Sequence, residues 1–142
     1  MNLCPQLRLL AGDHARWLAQ GRRQAGEGTA GQAARLLAAW DDEIVPHCRA
    51  EEEVLLPELA HHLSEADAAV VFTYGDHLVL RRLARELRMA REPSRSAAIS
   101  SFLARLEEHF RFEERTLFPT LQEALGCDGL AELGREITSR RS

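Results

Sequence analysis

A histidine with a glutamate four residues later occurs twice in this 142-residue chain, inside two copies of one longer pattern. The first copy reads His47-Cys-Arg-Ala-Glu51-Glu52-Glu-Val-Leu55-Leu56-Pro57-Glu-Leu59. The second, 62 residues on, reads His109-Phe-Arg-Phe-Glu113-Glu114-Arg-Thr-Leu117-Phe118-Pro119-Thr-Leu121. A shorter echo accompanies them: Gly12-Asp13-His14 returns 63 residues later as Gly75-Asp76-His77. Two repeats at nearly one offset divide the chain into similar halves. Each half carries a lone histidine and then a His/Glu pair. Imidazole with carboxylate is a metal-ligating set that suits iron, manganese or zinc better than calcium.

The elements that must position these groups are helices. Apolar residues recur at helical spacing from Leu3 to about Gln20, with Leu7, Leu10, His14, Trp17 and Leu18 on one stripe. Pro5 suits the first turn of that helix. Gly21, Gly26, Gly28 and Gly31 mark the first connection. A second helix starts near Gln32 and runs through Leu36, Trp40, Ile44, His47, Glu51 and Leu55. Pro46 should kink it by freeing the Asp42 carbonyl, and Pro57 should end or bend it. His61, His62 and Ser64 fall in the next connection. A third helix, about Asp67 to Arg91, carries Val70, Tyr74, His77, Leu80 and Leu87 and stops at Glu92-Pro93-Ser94. A fourth, from about Ser96, bears Ile99, Phe102, Leu106, His109, Glu113 and Leu117. Gly126 to Gly129 breaks the chain before a short segment from Leu130 to about Ser139. No period-2 run survives. The pattern predicts an all-α, up-down-up-down four-helix bundle with a short C-terminal fifth helix and a two-fold internal repeat, residues 1–142 forming a single domain.

In such a bundle the four histidines reach a similar depth. Residues at i and i+4 share a helix face, so His47 with Glu51, and His109 with Glu113, point together from the apolar stripe into the core. A buried ionised glutamate without a partner costs several kcal/mol or titrates neutral. One histidine on an apolar face is ordinary packing; four in register with two glutamates are not. The candidate metal ligands are His14, His47, Glu51, His77, His109 and Glu113. Six ligands exceed one tetrahedral zinc site and suit two ions, each taking two histidines, with both carboxylates bridging.

Glu52 and Glu114 are rotated toward the helix edge, where either a solvated ion pair or a supporting contact to the site is expected. Glu58-Leu-Ala-His61 is a lone E-x-x-H without a second copy and reads as surface, as does His62. Cys48 reads as a free buried or boundary thiol. Trp17 and Trp40 read as core packing around the site, and Leu55, Leu56 and Pro57 with their copies as packing residues.

Composition narrows the classes. Hydrophobic residues make up 45% and charged residues 28%, with a net charge of −4, as in ordinary globular proteins. All 18 basic residues are arginine, spread among acids, so no nucleic-acid partner is expected. No apolar run approaches the roughly 20 residues of a membrane span, so no membrane partner is expected. Cys4, Cys48 and Cys127 are odd in number and widely spaced, which argues against a disulfide framework and for a reducing cytoplasmic location.

The order of a histidine on the first helix, H-x3-E on the second, a histidine on the third and H-x3-E on the fourth resembles the haemerythrin-like (HHE cation-binding) family. The matching residues are His14, His47 with Glu51, His77, and His109 with Glu113, and the E-x2-L-[L/F]-P-x-L tails are similar too. The resemblance implies a non-haem di-iron centre bridged by an oxo or hydroxo group and by Glu51 and Glu113. His14 and His47 would bind one iron, and His77 and His109 the other; manganese or zinc is the alternative. Oxygen-carrying haemerythrins have a further histidine one turn after that of the third helix, where this chain has Arg81. The chain thus resembles the family's six-ligand branch, which includes proteins that repair damaged iron centres. The implied ligand is dioxygen, nitric oxide or peroxide, with possible roles in stress response, in iron–sulfur repair by iron delivery, or as an iron or oxygen sensor acting through a protein partner. Tyr74, three residues before His77, has no aromatic counterpart in the first half. It is a candidate pocket residue able to donate to a bound diatomic or to act as a weak ligand, with a core-filling aromatic the favoured role.

Overall fold

The computed structural model describes residues 2–23 and 28–140. Helix α1 (Pro5–Arg22) opens with the expected proline in its first turn. Helix α2 spans 28–62 as one rod, in which α-helical Gly28–Ala39, Val45–Ala50 and Leu56–His62 are joined by wider π turns at Trp40–Ile44 and Glu51–Leu55. Helix α3 (Ala68–Met89) is capped by Asp67, whose carboxylate accepts the Ala69 N–H at 2.9 Å. Helix α4 spans 95–125 through a third π turn at Glu113–Leu117. Gly126, at φ 70°, breaks the winding there, in a conformation that disfavours residues with a Cβ. Residues 127–140 then form the short α5. Helices α1 and α3 each pack on both α2 and α4, as the up-down-up-down order requires.

Pro57 does not end its helix, one of the two outcomes the sequence suggested, and the helix also continues through Pro46. Each π turn ends two residues before a proline: Pro46, Pro57 and Pro119. The N–H groups of Val45, Leu56 and Phe118 donate to the carbonyls of Trp40, Glu51 and Glu113, five residues back. A proline lacks an N–H and its ring presses on the carbonyl four residues earlier. Widening the preceding turn relieves that clash, so the helix continues. Pro57 therefore does not end α2, and His61 and His62 lie in its last turn rather than in a loop.

The first connection is shorter than expected. Gly21 belongs to the last turn of α1, where an added Cβ would stand 2.7 Å from Leu103 Cδ2 and 3.0 Å from Leu36 Cδ1; its lack of a side chain lets α1 approach α2 and α4. Helix α2 starts at Gly28 rather than near Gln32. Gly26 lies outside the described residues.

The buried interior has three layers. One apolar cluster gathers Trp17, Leu36, Trp40, Ile44, Leu80, Leu87, Phe102, Leu106 and Phe110. Another gathers Leu7, Leu55, Leu56, Leu59, Val70, Leu117, Phe118, Leu121 and Leu130. Separate from both are the buried polar residues His14, His47, Glu51, His77, His109 and Glu113. Cys48 is a free, buried thiol, and burial pushes its pKa well above the ordinary range. No helix among the described residues is long and apolar enough to cross a membrane.

One expectation is overturned. Cys4 and Cys127 form a disulfide across a sequence separation of 123, so two of the three cysteines are paired. The cytoplasmic expectation thereby loses the cysteine argument on which it rested. The bond ties the start of α1 to the start of α5, and the Cys4 N–H also donates to Gln122 Oε1 at 2.6 Å. Because the closed loop takes in most of the chain, replacing both cysteines by serine is expected to lower unfolding stability by about 2–4 kcal/mol. Denaturant titration checks this, with the far-ultraviolet helix signal unchanged in the native baseline.

Candidate metal centre

The site is built from the apolar faces of all four long helices. His14 comes from α1, His47 and Glu51 from α2, His77 from α3, and His109 and Glu113 from α4. His14 and Glu113 are wholly buried, and none of the six is more than 5% exposed. The i, i+4 spacing does what the sequence promised: His47 Nε2 lies 3.0 Å from Glu51 Oε2, and His109 Nε2 lies 3.4 Å from Glu113 Oε2. The other oxygen of each carboxylate reaches across the bundle. Glu51 Oε1 is 2.9 Å from His77 Nε2, and Glu113 Oε1 is 3.0 Å from His14 Nε2 and 3.6 Å from His47 Nε2. Each carboxylate thus spans the two histidine pairs, the placement a bridging ligand needs.

None of these close contacts has hydrogen-bond geometry. The four Nε2 atoms and both oxygens of Glu51 and Glu113 are buried and lack a hydrogen-bond partner. Native interiors satisfy buried polar atoms almost everywhere, and eight unsatisfied atoms in one layer call for a common partner. They fall into two overlapping groups within which the ligand atoms are no more than 4.8 Å apart: His14, His47 and Glu113, and Glu51, His77, His109 and Glu113. A cation in each group would satisfy them, so the residues fit a pair of metal ions.

Carboxylates behind the ring orient three of the four imidazoles. His77 Nδ1 donates to Glu52 Oε2 at 2.7 Å, His14 Nδ1 to Glu114 Oε2 at 2.9 Å, and His109 Nδ1 to Asp76 Oδ2 at 3.0 Å. Such a partner on Nδ1 leaves the Nε2 lone pair facing inward and raises its basicity. Glu52 and Glu114, left open by the sequence, are therefore supporting groups, each reaching from the following position on its own helix to the histidine of a neighbouring helix. Asp76 was missed, although it stands in the repeated Gly-Asp-His triplet that signalled it. Arg81, at the position of the further histidine in oxygen carriers, holds Glu52 Oε2 at 3.2 Å, and Arg105 holds Asp76 Oδ1 at 2.6 Å.

The core-filling reading of Tyr74 is corrected, since the residue is 40% exposed. Its hydroxyl donates to the Glu52 backbone carbonyl at 2.8 Å. The π turn explains why: Leu56 donates to Glu51, and the next donor along is Pro57, which has no N–H. Trp17 and Trp40 are core residues as expected, Trp17 lying edge-on to His47 at 5.2 Å and Trp40 against Phe102. Phe110 stacks on His14 at 4.0 Å. His61 and His62 are exposed, as expected; His62 pairs with Glu58, both well exposed.

A family model, the hemerythrin HHE cation-binding domain, matches residues 3–121. The chain belongs to that family. No curated protein and no solved structure matches it. The match covers the HHE residues of all four bundle helices and stops before α5 and Cys127.

The electrostatics of this HHE site fit cation binding. Burial opposes ionisation of Glu113, yet His109 and the histidines around it hold its carboxyl well below the usual range. Burial disfavours the His47 imidazolium, but the Glu51 and Glu113 carboxylates raise its pKa to about 10. His109 is likewise raised to about 10, against its burial, by Glu113 and Asp76. Asp76 is held low, despite burial, by His109 and Arg105. Without metal, then, protons on His47 and His109 place positive charge beside the carboxylates.

Two outcomes are expected. Below about pH 10 metal must displace the His47 and His109 protons, so affinity falls as pH falls, by about 100-fold per unit where two protons are released. Calorimetry at pH 7 in buffers of different ionisation enthalpy should report proton release on metal loading, to which His47 and His109 contribute. Glu52→Ala and Glu114→Ala should each weaken metal binding about 10- to 100-fold, as measured by chelator competition, without changing stoichiometry at saturating metal.

Proposed function

We propose that this chain is a non-haem di-iron protein of the six-ligand kind. One iron is held by His14 and His47, the other by His77 and His109, with Glu51 and Glu113 shared between them. The observation that carries the reading is the layer of eight buried imidazole and carboxylate atoms with no hydrogen-bond partner. Imidazole with carboxylate suits iron, and the family is cation-binding. Six protein ligands leave positions open on a pair of ions, and reaction with a small molecule needs such positions. When bound, the irons would supply redox chemistry toward dioxygen, nitric oxide or peroxide.

The protein's own contribution is positional. Glu52, Glu114 and Asp76 fix three imidazole rings, so little reorganisation is required when a ligand arrives. Phe110 and Phe118 stack at 4.0 and 5.6 Å over His14 and exclude water from that side. Arg81 occupies the place of a further ligand while bound to Glu52, which favours reaction or sensing over the reversible carriage of oxygen.

Protein purified aerobically from iron-supplemented cells should contain two irons per chain and show near-ultraviolet charge-transfer bands. Glu51→Ala or Glu113→Ala should lower the content below two. Zinc alone, or full iron occupancy in both variants, would rule out the di-iron assignment made here.

A further inference from the structure

Helices α1, α2 and α5 enclose a half-open cavity of about 910 Å³ that borders the centre at His47 and Glu51. That volume lies within the range of sites for whole organic ligands and far exceeds what a diatomic molecule needs. Its walls are aliphatic, with Leu7, Leu10, Leu55, Leu130, Ala131 and Ile137. Three buried polar side chains also line it: Trp17, His47 and Glu51. Each of the three carries a buried atom without a hydrogen-bond partner, and for Trp17 that atom is the Nε1–H donor. Charged residues of both signs also line the cavity, Asp13, Asp42 and Glu43 with Arg16 and Arg135, and Arg16 is engaged by both Asp13 and Glu43.

We propose that this cavity binds an aliphatic chain ending in an oxygen head group, a carboxylate or a hydroperoxide, with the head at Trp17, His47 and Glu51. The inference rests on the metal reading above and extends its substrate class from diatomics to alkyl compounds. Methylene groups match the leucine and isoleucine walls, where their removal from water drives binding. The head oxygen lies beside the Trp17 ring, whose buried Nε1–H goes unsatisfied, and its negative charge would face the cations the centre would hold. The far wall comes from Leu130 to Ser139, beyond the residues matched by the family model. This site therefore belongs to what α5 adds to the bundle.

The test uses zinc-loaded protein, because zinc binds the same donor types without redox chemistry. Decanoate and acetate are compared by calorimetry. Decanoate should bind at least about 100-fold tighter, given its additional methylenes. Gly134→Phe should abolish that preference while zinc content stays at two per chain; position 134 lines the cavity, and a Cβ there meets only Gln6 Cγ, at 3.8 Å. Ala131→Trp provides a second block should the first variant fold poorly. Trp17→Phe should weaken both carboxylates about 10-fold and leave their ratio unchanged. Equal affinity for decanoate and acetate, or a preference that survives both blocking variants, would overturn the proposal. Chain preference retained in protein that takes up no metal would support the cavity and sink the metal reading instead.

Discussion

Two carboxylates sit in the middle of this bundle with essentially no access to water, and the rest of the structure answers to them. An ionised carboxylate in such surroundings needs positive charge and hydrogen-bond donors close by, or it neutralises. Four histidines surround Glu51 and Glu113, yet their Nε2 atoms point past hydrogen-bond geometry. The imidazoles are therefore held for a third party. The supporting carboxylates make the same point from outside, since Glu52, Glu114 and Asp76 bind the Nδ1 atoms and so commit the Nε2 atoms inward.

Keeping a polar layer inside an apolar bundle is a backbone problem as much as an electrostatic one. Each ligand glutamate begins a π turn, and in each case the residue five positions on is a fully buried Leu56 or Phe118. In an ordinary α-helix the fifth residue is rotated well away from the first. In the wider turn it falls below it, so both the fourth and fifth residues after the ligand can face the core. π turns of this kind are frequent at functional sites. Here one links ligand placement, core packing and the following proline. Tyr74 closes the remaining gap by satisfying the Glu52 carbonyl that the turn leaves exposed.

Much of this was legible in the sequence because it was written twice. Polar groups on an apolar stripe are ambiguous once, but His47/Glu51 and His109/Glu113 at one offset could not both be accidents of packing. The helix count followed from the same periodicity. What stayed hidden has physical reasons. A proline inside an apolar helical stripe signals a kink or a stop, and sequence alone does not separate these from a π turn that lets the helix pass. The Cys4–Cys127 bond joins residues that only the folded topology brings together. Tyr74 lies on the stripe side of α3 by spacing, but a hydroxyl with a bare carbonyl in reach is better satisfied at the surface than in the core. Asp76 carried a signal in the repeated Gly-Asp-His triplet, but only the folded bundle shows that its partner is His109 rather than the adjacent His77.

The two halves are alike at the ligands and differ behind them. In the second half, Arg105 holds Asp76 and Asp76 holds His109. In the first half the position corresponding to Arg105 is Glu43, and Arg16 binds both Glu43 and Asp13, the counterpart of Asp76. Asp13 is thereby engaged away from the centre, and among the described residues no carboxylate is found on His47 Nδ1. His47 is consequently the most exposed of the four histidines, and the cavity under α5 reaches it. A symmetric pair of half-bundles would have shielded both sides equally. With Glu43 where the second half has Arg105, and with α5 lying over the first half, the ligand set is near-symmetric while its surroundings are not.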